Sequence, residues 1–250
     1  MSPIIATTTK FDATDSKYQL KAEFKPDKEK LWPYPKEEDG WVHAHNALRF
    51  EIRELIEALE ATHKRSPQLQ QWEIDCIAKA WKVHEEHIHS HHSNEDNIMA
   101  PYLSTRFHYP DKYTADHEEL VAKLNRLQKL VVNLRPGAGG TATLLKELVE
   151  YEAMIKPHLL QEEIECLPLC RAYFTPEEIS VKVQEMIAHS PKVETGSFIH
   201  AMGVEKFRKK FMQQEGIPFF VWYVAFVWRL KHFRRMFVAP IEALRSGNKI

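Results

Sequence analysis

Between Val83 and Leu103 the chain concentrates residues that can bind a metal: His84, His87, His89, His91 and His92, five of its 14 histidines, followed by Glu95. On a helix, His91 and Glu95 lie one turn apart on the same face. A neutral imidazole stacked over a carboxylate is a pairing that iron, manganese or zinc accepts. A histidine-rich helix can equally be a solvated polar face, and a single His-x-x-x-Glu pair does not decide between the two.

The pattern returns further along. His45 is followed by Leu48, Ile52 and Leu55, and His117 by Leu120, Leu124 and Leu127 at the same offsets. His91-x-x-x-Glu95-Asp96, with Pro101 and Leu103 beyond it, is answered by His158-x-x-x-Glu162-Glu163, with Pro168 and Cys170. Each half of the repeat reads as a helical hairpin giving one histidine from its first helix and a His-x-x-x-Glu pair from its second. In an antiparallel bundle the start of one helix neighbours the end of the next, so His45, His91, Glu95, His117, His158 and Glu162 can meet at one level. Two carboxylates could bridge two metal ions and offset their repulsion, with two imidazoles completing a partly filled shell on each. Oxygen and nitrogen ligands without thiolate favour iron over a structural zinc site, with manganese possible. Positions left open on both ions would take dioxygen, peroxide or an oxo or hydroxo bridge.

The elements that must position these residues are helices. Ala, Leu, Glu and Lys recur at three- and four-residue apolar spacing, and only eight glycines are present, which argues against a turn-rich β fold. Residues 1–38 read as an irregular arm, because Lys30-Leu-Trp-Pro-Tyr-Pro-Lys36 carries two prolines, with Trp32 and Tyr34 free to pack on the helices beyond it. Asp39 can cap a first helix, about Trp41 to His63. Ser66-Pro67 offers a start for a second, running to about Leu103. A third spans about Asp111 to Leu134 and is closed by Arg135-Pro-Gly-Ala-Gly-Gly140. A fourth spans about Thr141 to Tyr173 and should kink or bulge at Pro157. The expected fold is all-α, an antiparallel up-down four-helix bundle over 39–174 with additional C-terminal helices over 175–250. Within that extension, Thr175 caps a helix to about His189. A looser stretch around Ser190-Pro191 and Gly196 precedes another helix, about Ser197 to Gln214.

Bulk properties narrow the function. With 34 basic and 35 acidic residues the net charge is −1, so no global field points to nucleic acid. Three cysteines make no disulfide framework, which together with an N-terminus lacking a signal-peptide pattern suggests a reducing cytoplasm. The twelve residues Ile217 to Trp228 are largely apolar but too few to span a bilayer. With the basic residues up to Arg235, segment 217–235 could lie on a membrane surface, pack on the bundle, or roof the metal site as a lid.

These residues resemble the hemerythrin-like (HHE cation-binding) family, whose pattern is a histidine, a His-x-x-x-Glu pair, a third histidine and a second such pair. The resemblance covers residues 39–174 and includes all six motif positions, the acidic residue after each glutamate, and Pro101 and Pro168. It implies a four-helix bundle holding a carboxylate-bridged pair of iron ions. The oxygen carriers of that family have a further histidine one turn along the third helix, where this chain has Val121, and their last pair ends in an aspartate at the fifth position. Two equivalent bridging glutamates and fewer imidazoles resemble the non-carrier branch.

Several neighbours carry two readings. His87 and Tyr113, each one turn before a motif histidine, could ligate, donate a proton to bound oxygen or hydrogen-bond a ligand, or be ordinary polar residues at the bundle surface. His84, His89 and His92 read as solvated. Cys166 and Cys170 continue the His158–Glu162 stripe and read as small buried apolar residues rather than redox groups. Glu60-x-x-His63 and Glu86-x-x-His89 have ferritin-like spacing, but the fourth helix lacks the matching motif. The leading expectation is a non-haem di-iron oxidase or oxygenase acting with dioxygen on a small organic molecule. A non-catalytic carrier or sensor of dioxygen, nitric oxide or iron is the alternative, and a purely structural metal bundle a third.

Overall fold

The computed structural model describes residues 11–249, and among these it is all helical, with a single isolated bridge between Gln19 and Phe107. Four long helices form the centre: α1 (Gly40–Arg65), α2 (Gln71–Asn94), α3 (Lys112–Val132) and α4 (Thr141–Ile164). Helix α1 packs on α2 and α4, and α3 packs on the same two, closing a ring around one core. The core is made by the stripes seen in the sequence: Leu48, Ile52 and Leu55 from α1, with Leu120, Leu124 and Leu127 from α3, are buried together with Ile88 and Ile155.

The helix ends depart from expectation for identifiable reasons. Asp39 caps α1, its carboxylate accepting from Trp41 N–H. Helix α2 starts at Gln71 rather than at Ser66-Pro67. Residues 66–70 stay non-helical because they are tied to the facing loop and the start of α4: Gly137 N–H donates to Leu69 O and Thr141 Oγ1 to Pro67 O. Helix α2 is not regular up to Leu103 either. It widens into a π turn at Glu95–Met99 before a last turn, Ala100–Leu103. Pro101 cannot donate to the carbonyl four residues back and its ring crowds it, so the backbone gains a residue just before it.

The fourth helix corrects the sequence reading more clearly. It runs through Pro157 unbroken and stops instead at Ile164, resuming as α5 (Cys166–Tyr173) with Pro168 near its start. The steric clash expected at Pro157 acts at Pro168. Both repeats are therefore distorted just beyond their glutamate.

Helix α6 (Pro176–His189) is capped by Thr175 as expected, and Glu178 completes a capping box with it. Gly196, expected in a loose stretch, lies inside α7 (Lys192–Met202), and the helix expected over 197–214 is broken at Gly203, whose φ is +89°. Only a glycine permits the crossing at position 196. A Cβ there would stand 2.5 Å from Arg229 O and 2.6 Å from Phe233 Cβ on α8 (Val227–Phe233). A final helix, α9 (Ala239–Ser246), lies against α1 and α2 at the end far from His45, where Arg65 bonds Leu244 O.

The bundle end next to Glu95 and Glu162 is closed by the N-terminal arm rather than by segment 217–235. Trp32 is buried with Leu103, Phe107, Tyr173 and Phe174, and its indole N–H donates to Arg171 O and Phe174 O. Arg171, itself buried, stacks on Trp32 and bonds Glu29, Asp39 and Tyr34 O. These partners satisfy the guanidinium, so the arm is held by charge-assisted bonds as well as by its aromatic residues.

Candidate metal centre

All six motif side chains are buried and converge between the apolar core and the aromatic end cap. His45 Nε2 lies 3.4 Å from Glu162 Oε2 and 3.8 Å from Glu95 Oε1, and His91 Nε2 lies 3.2 Å from Glu95 Oε1. The other oxygen of each carboxylate faces the opposite way. Glu95 Oε2 is 3.6 Å from His117 Nε2, while Glu162 Oε1 is 3.8 Å from His117 Nε2 and 3.5 Å from His158 Nε2. Each glutamate thus stands between two groups of imidazoles.

The two groups are His45 and His91 with the carboxylates, and His92, His117 and His158, with potential ligand atoms within 4.8 Å of one another in each. His92 is the residue that sequence reasoning missed. Its spacing suggests a solvated position, yet it is buried and stacked on His117 with ring centroids 4.1 Å apart. Adjacent residues on a helix diverge by about 100°. A site as wide as two groups of ligands is reached from both sides of the His91 stripe, and the only sequence signal was the direct succession of two histidines.

The outer nitrogens explain why the rings are held in these orientations. His45 Nδ1 is 2.9 Å from Glu163 Oε1, which also accepts from Arg49, and His117 Nδ1 is 2.9 Å from Asp96 Oδ1. The acidic residue after each glutamate therefore orients the lone histidine of the other hairpin. A carboxylate on Nδ1 holds a proton there, so Nε2, facing inward, is the nitrogen at which a metal would replace a proton.

The inward atoms lack partners. His45 Nε2, His91 Nε2, Glu95 Oε2, both Glu162 oxygens and both His92 nitrogens are buried without a hydrogen bond. Buried polar atoms are rarely left so, and each unsatisfied one costs about 1–3 kcal/mol. His117 Nε2 and His158 Nε2 face each other at 3.2 Å, so at most one proton can sit between them. Cations would give the carboxylate oxygens and one nitrogen of each imidazole a partner, and neutral imidazoles with carboxylates and no thiolate suit iron or manganese.

The electrostatics are those of a crowded ligand set. Burial and the neighbouring Glu95 push the Glu162 carboxyl up to about 7. Burial pulls His45 and His117 down, but the surrounding carboxylates outweigh it and hold both at about 9. Burial and adjacent imidazoles drive His158 down to about 3, and push His91 and His92 well below the usual range. The last three are thereby kept neutral, as a metal ligand must be.

The remaining candidates fall outside the cluster. His87 and His84 are buried rather than at the surface. Their Nδ1 atoms lie 2.9 and 2.8 Å from the two oxygens of Glu51, and His84 Nε2 lies 3.1 Å from Tyr151 Oη. This deeper layer is satisfied by its own hydrogen bonds, in contrast to the cluster next to it. Tyr113 donates to Glu165 Oε2 and Gln161 O, and its ring centroid is 6.1 Å from that of His158. Cys166 and Cys170 are buried, and burial pushes both thiols well above their ordinary range. A groove of about 330 Å³ between α3 and α4, lined by Asp116, Leu120, Met154, Pro157, His158 and Gln161, reaches the cluster at His158.

No curated protein and no solved structure matches the chain. The family model for the hemerythrin HHE cation binding domain matches residues 38–170, more than half of the chain. With two buried His/Glu clusters inside that span, the chain belongs to the hemerythrin HHE cation-binding family.

Proposed function

We propose that the protein is a non-haem di-iron protein that binds and activates dioxygen, acting as an oxidase or oxygenase on a small organic molecule. Residues 39–174 serve as an antiparallel up-down bundle, 11–38 as the arm that closes its end and 175–249 as an extension; the first ten residues of the arm expected over 1–38 lie outside the described residues. One ion would be held by His45 and His91, the second by His117, His158 and His92, with Glu95 and Glu162 bridging. The observation that carries this reading is that each carboxylate turns one oxygen to each imidazole group, while the inward atoms have no other partner. When bound, the iron pair supplies the electrons and open positions that dioxygen chemistry needs.

The chain's own residues do the rest. Glu163 and Asp96 hold His45 and His117 with Nε2 inward. Trp32, Phe107 and Phe174 on one side and the leucine stripes on the other exclude bulk water, which strengthens electrostatic interactions inside. Tyr113 sits beside His158 with its proton engaged by Glu165, as a positioning partner of the α4 end. The groove at His158 is the side from which a small molecule could approach.

The walls of packed hydrocarbon also favour a second reading, a carrier or sensor of a diatomic gas, since such a site admits dioxygen or nitric oxide more easily than an organic substrate. Exposure of the reduced, iron-loaded protein to dioxygen separates the two. Oxidation that is not reversed by removing dioxygen, and that is faster with an organic substrate present, is expected. A stable absorbance change reversed under argon would establish the carrier instead.

A further inference from the structure

The segment from Phe219 to Trp228 presents apolar side chains on two sides, and only one side is covered. Trp222, Phe226 and Leu230 pack into a small core with Ile199, Phe207 and Met212. On the other side Phe219, Phe220, Tyr223 and Val224 leave between 57% and 67% of their surface exposed, and Trp228 leaves 39%. Phe220, Tyr223, Val224 and Trp228 follow one another from the turn before the π turn at Trp222–Phe226 into α8, and none of them enters that small core. A contiguous outward face of large aromatic groups marks an interaction site, whereas scattered single residues would not.

Cations rim this face. The Arg208 guanidinium lies 5.1 Å from the Phe219 ring and 5.2 Å from the Trp222 ring. Lys192 Nζ and the Arg229 guanidinium lie 5.1 and 5.4 Å from Trp228. Residues 206–235 contain eight Lys and Arg and a single acid, Glu215, in a chain whose net charge is −1. Among the described residues only Lys206 and Lys209 of these eight form ion pairs, with Glu38 and Glu205. The other six have no acidic partner, and two of them, Arg208 and Arg229, lie over the exposed rings of Phe219 and Trp228.

We propose that this face docks on an anionic lipid membrane surface. Aromatic side chains entering the headgroup layer, with Lys and Arg on the lipid phosphates and carboxylates, are the chemistry of interfacial binding. No helix among the described residues is long and apolar enough to cross a membrane, so the contact is peripheral. A second copy of the chain is a poor occupant, because a two-fold contact would set this basic segment against itself. Phe219, Phe220, Tyr223 and Val224 also project outward by more than half their surface, which suits insertion into a fluid layer. Gln214 reaches Glu38 O and Phe211 lies beside Gly40, so the stretch leading into this face is anchored at the start of α1.

Flotation of the full chain with vesicles tests this, with or without metal. The protein is expected to float with phosphatidylcholine vesicles containing phosphatidylserine, at least about tenfold more than with phosphatidylcholine alone, and to lose this at high salt. Phe220→Ser with Val224→Ser should lower the bound fraction about tenfold or more, as should Lys192→Glu with Arg208→Glu. Both serine positions are exposed, so circular dichroism and metal content should not change. The proposal is overturned if the protein ignores both vesicle types, binds them equally, or binds undiminished with the serine pair. It is also overturned if sedimentation velocity shows a dimer that the serine pair dissolves, which would make a second copy the occupant.

Discussion

Replacing Glu162 by glutamine should stabilise the metal-free protein while removing its metal. Glu162 is wholly buried, neither of its oxygens has a hydrogen bond, and burial together with Glu95 pushes its carboxyl from 4.5 up to about 7. Linkage sets the sign. Below pH 4.5 the group is protonated in both folded and unfolded chains and costs nothing. Between pH 4.5 and 7 only the unfolded chain releases its proton, so stability falls as pH rises. Above pH 7 the full cost is present, about 3 kcal/mol. Glutamine has nearly the same shape and no charge, but its amide also needs partners, so about 1–3 kcal/mol should be regained. For a chain of this size that is a rise in Tm of about 3–10 °C at pH 8, shrinking towards zero near pH 4. Thermal unfolding of both proteins after chelation measures it, and elemental analysis after iron loading should show the variant depleted. A Glu162→Gln protein less stable than the parent at pH 8 without metal, or one that keeps its full metal content, would refute the reasoning.

The deeper layer behaves oppositely. Glu51 is held down at about 2 because the paired His87 and His84 outweigh its burial. It therefore contributes stability above pH 4.5 that is lost as pH falls through 2, and Glu51→Ala should cost about 3–5 kcal/mol at neutral pH, read from thermal unfolding; a loss under about 1 kcal/mol would contradict that role. Gly196→Ala should cost about 1–3 kcal/mol and loosen 204–249 from α7, seen as faster proteolysis there, since its methyl would overlap Arg229 O and Phe233. An unchanged cleavage rate would mean that the α7–α8 crossing is looser than the close contact at Gly196 requires.

Much of this was legible because helical spacing is a strong signal. Leu48, Ile52 and Leu55 on α1, with Leu120, Leu124 and Leu127 on α3, declare which faces are buried, and the paired His-x-x-x-Glu stretches lie in register with them. Periodicity names a stripe but not the width of the interior it faces. His92 lies beside the His91 stripe and His84 two turns back along it, and both read as solvated, although the bundle buries both. Glu51, next to an apolar stripe, gives no sign that it will receive two histidines of another helix, because that pairing is made only by packing. Pro157 and Pro168 look alike in sequence, yet the chain breaks only before the second. Gly196 reads as a loop residue because close helix crossing and loop flexibility select the same amino acid.

Anaerobic titration of the chelated protein with iron(II), followed by gel filtration and elemental analysis, tests the two-cation assignment most directly. Two carboxylates each facing two groups of imidazoles predict two irons retained per chain, falling to one or fewer in Glu162→Ala with helicity preserved. One iron per chain in the parent protein, or two in that variant, would contradict it.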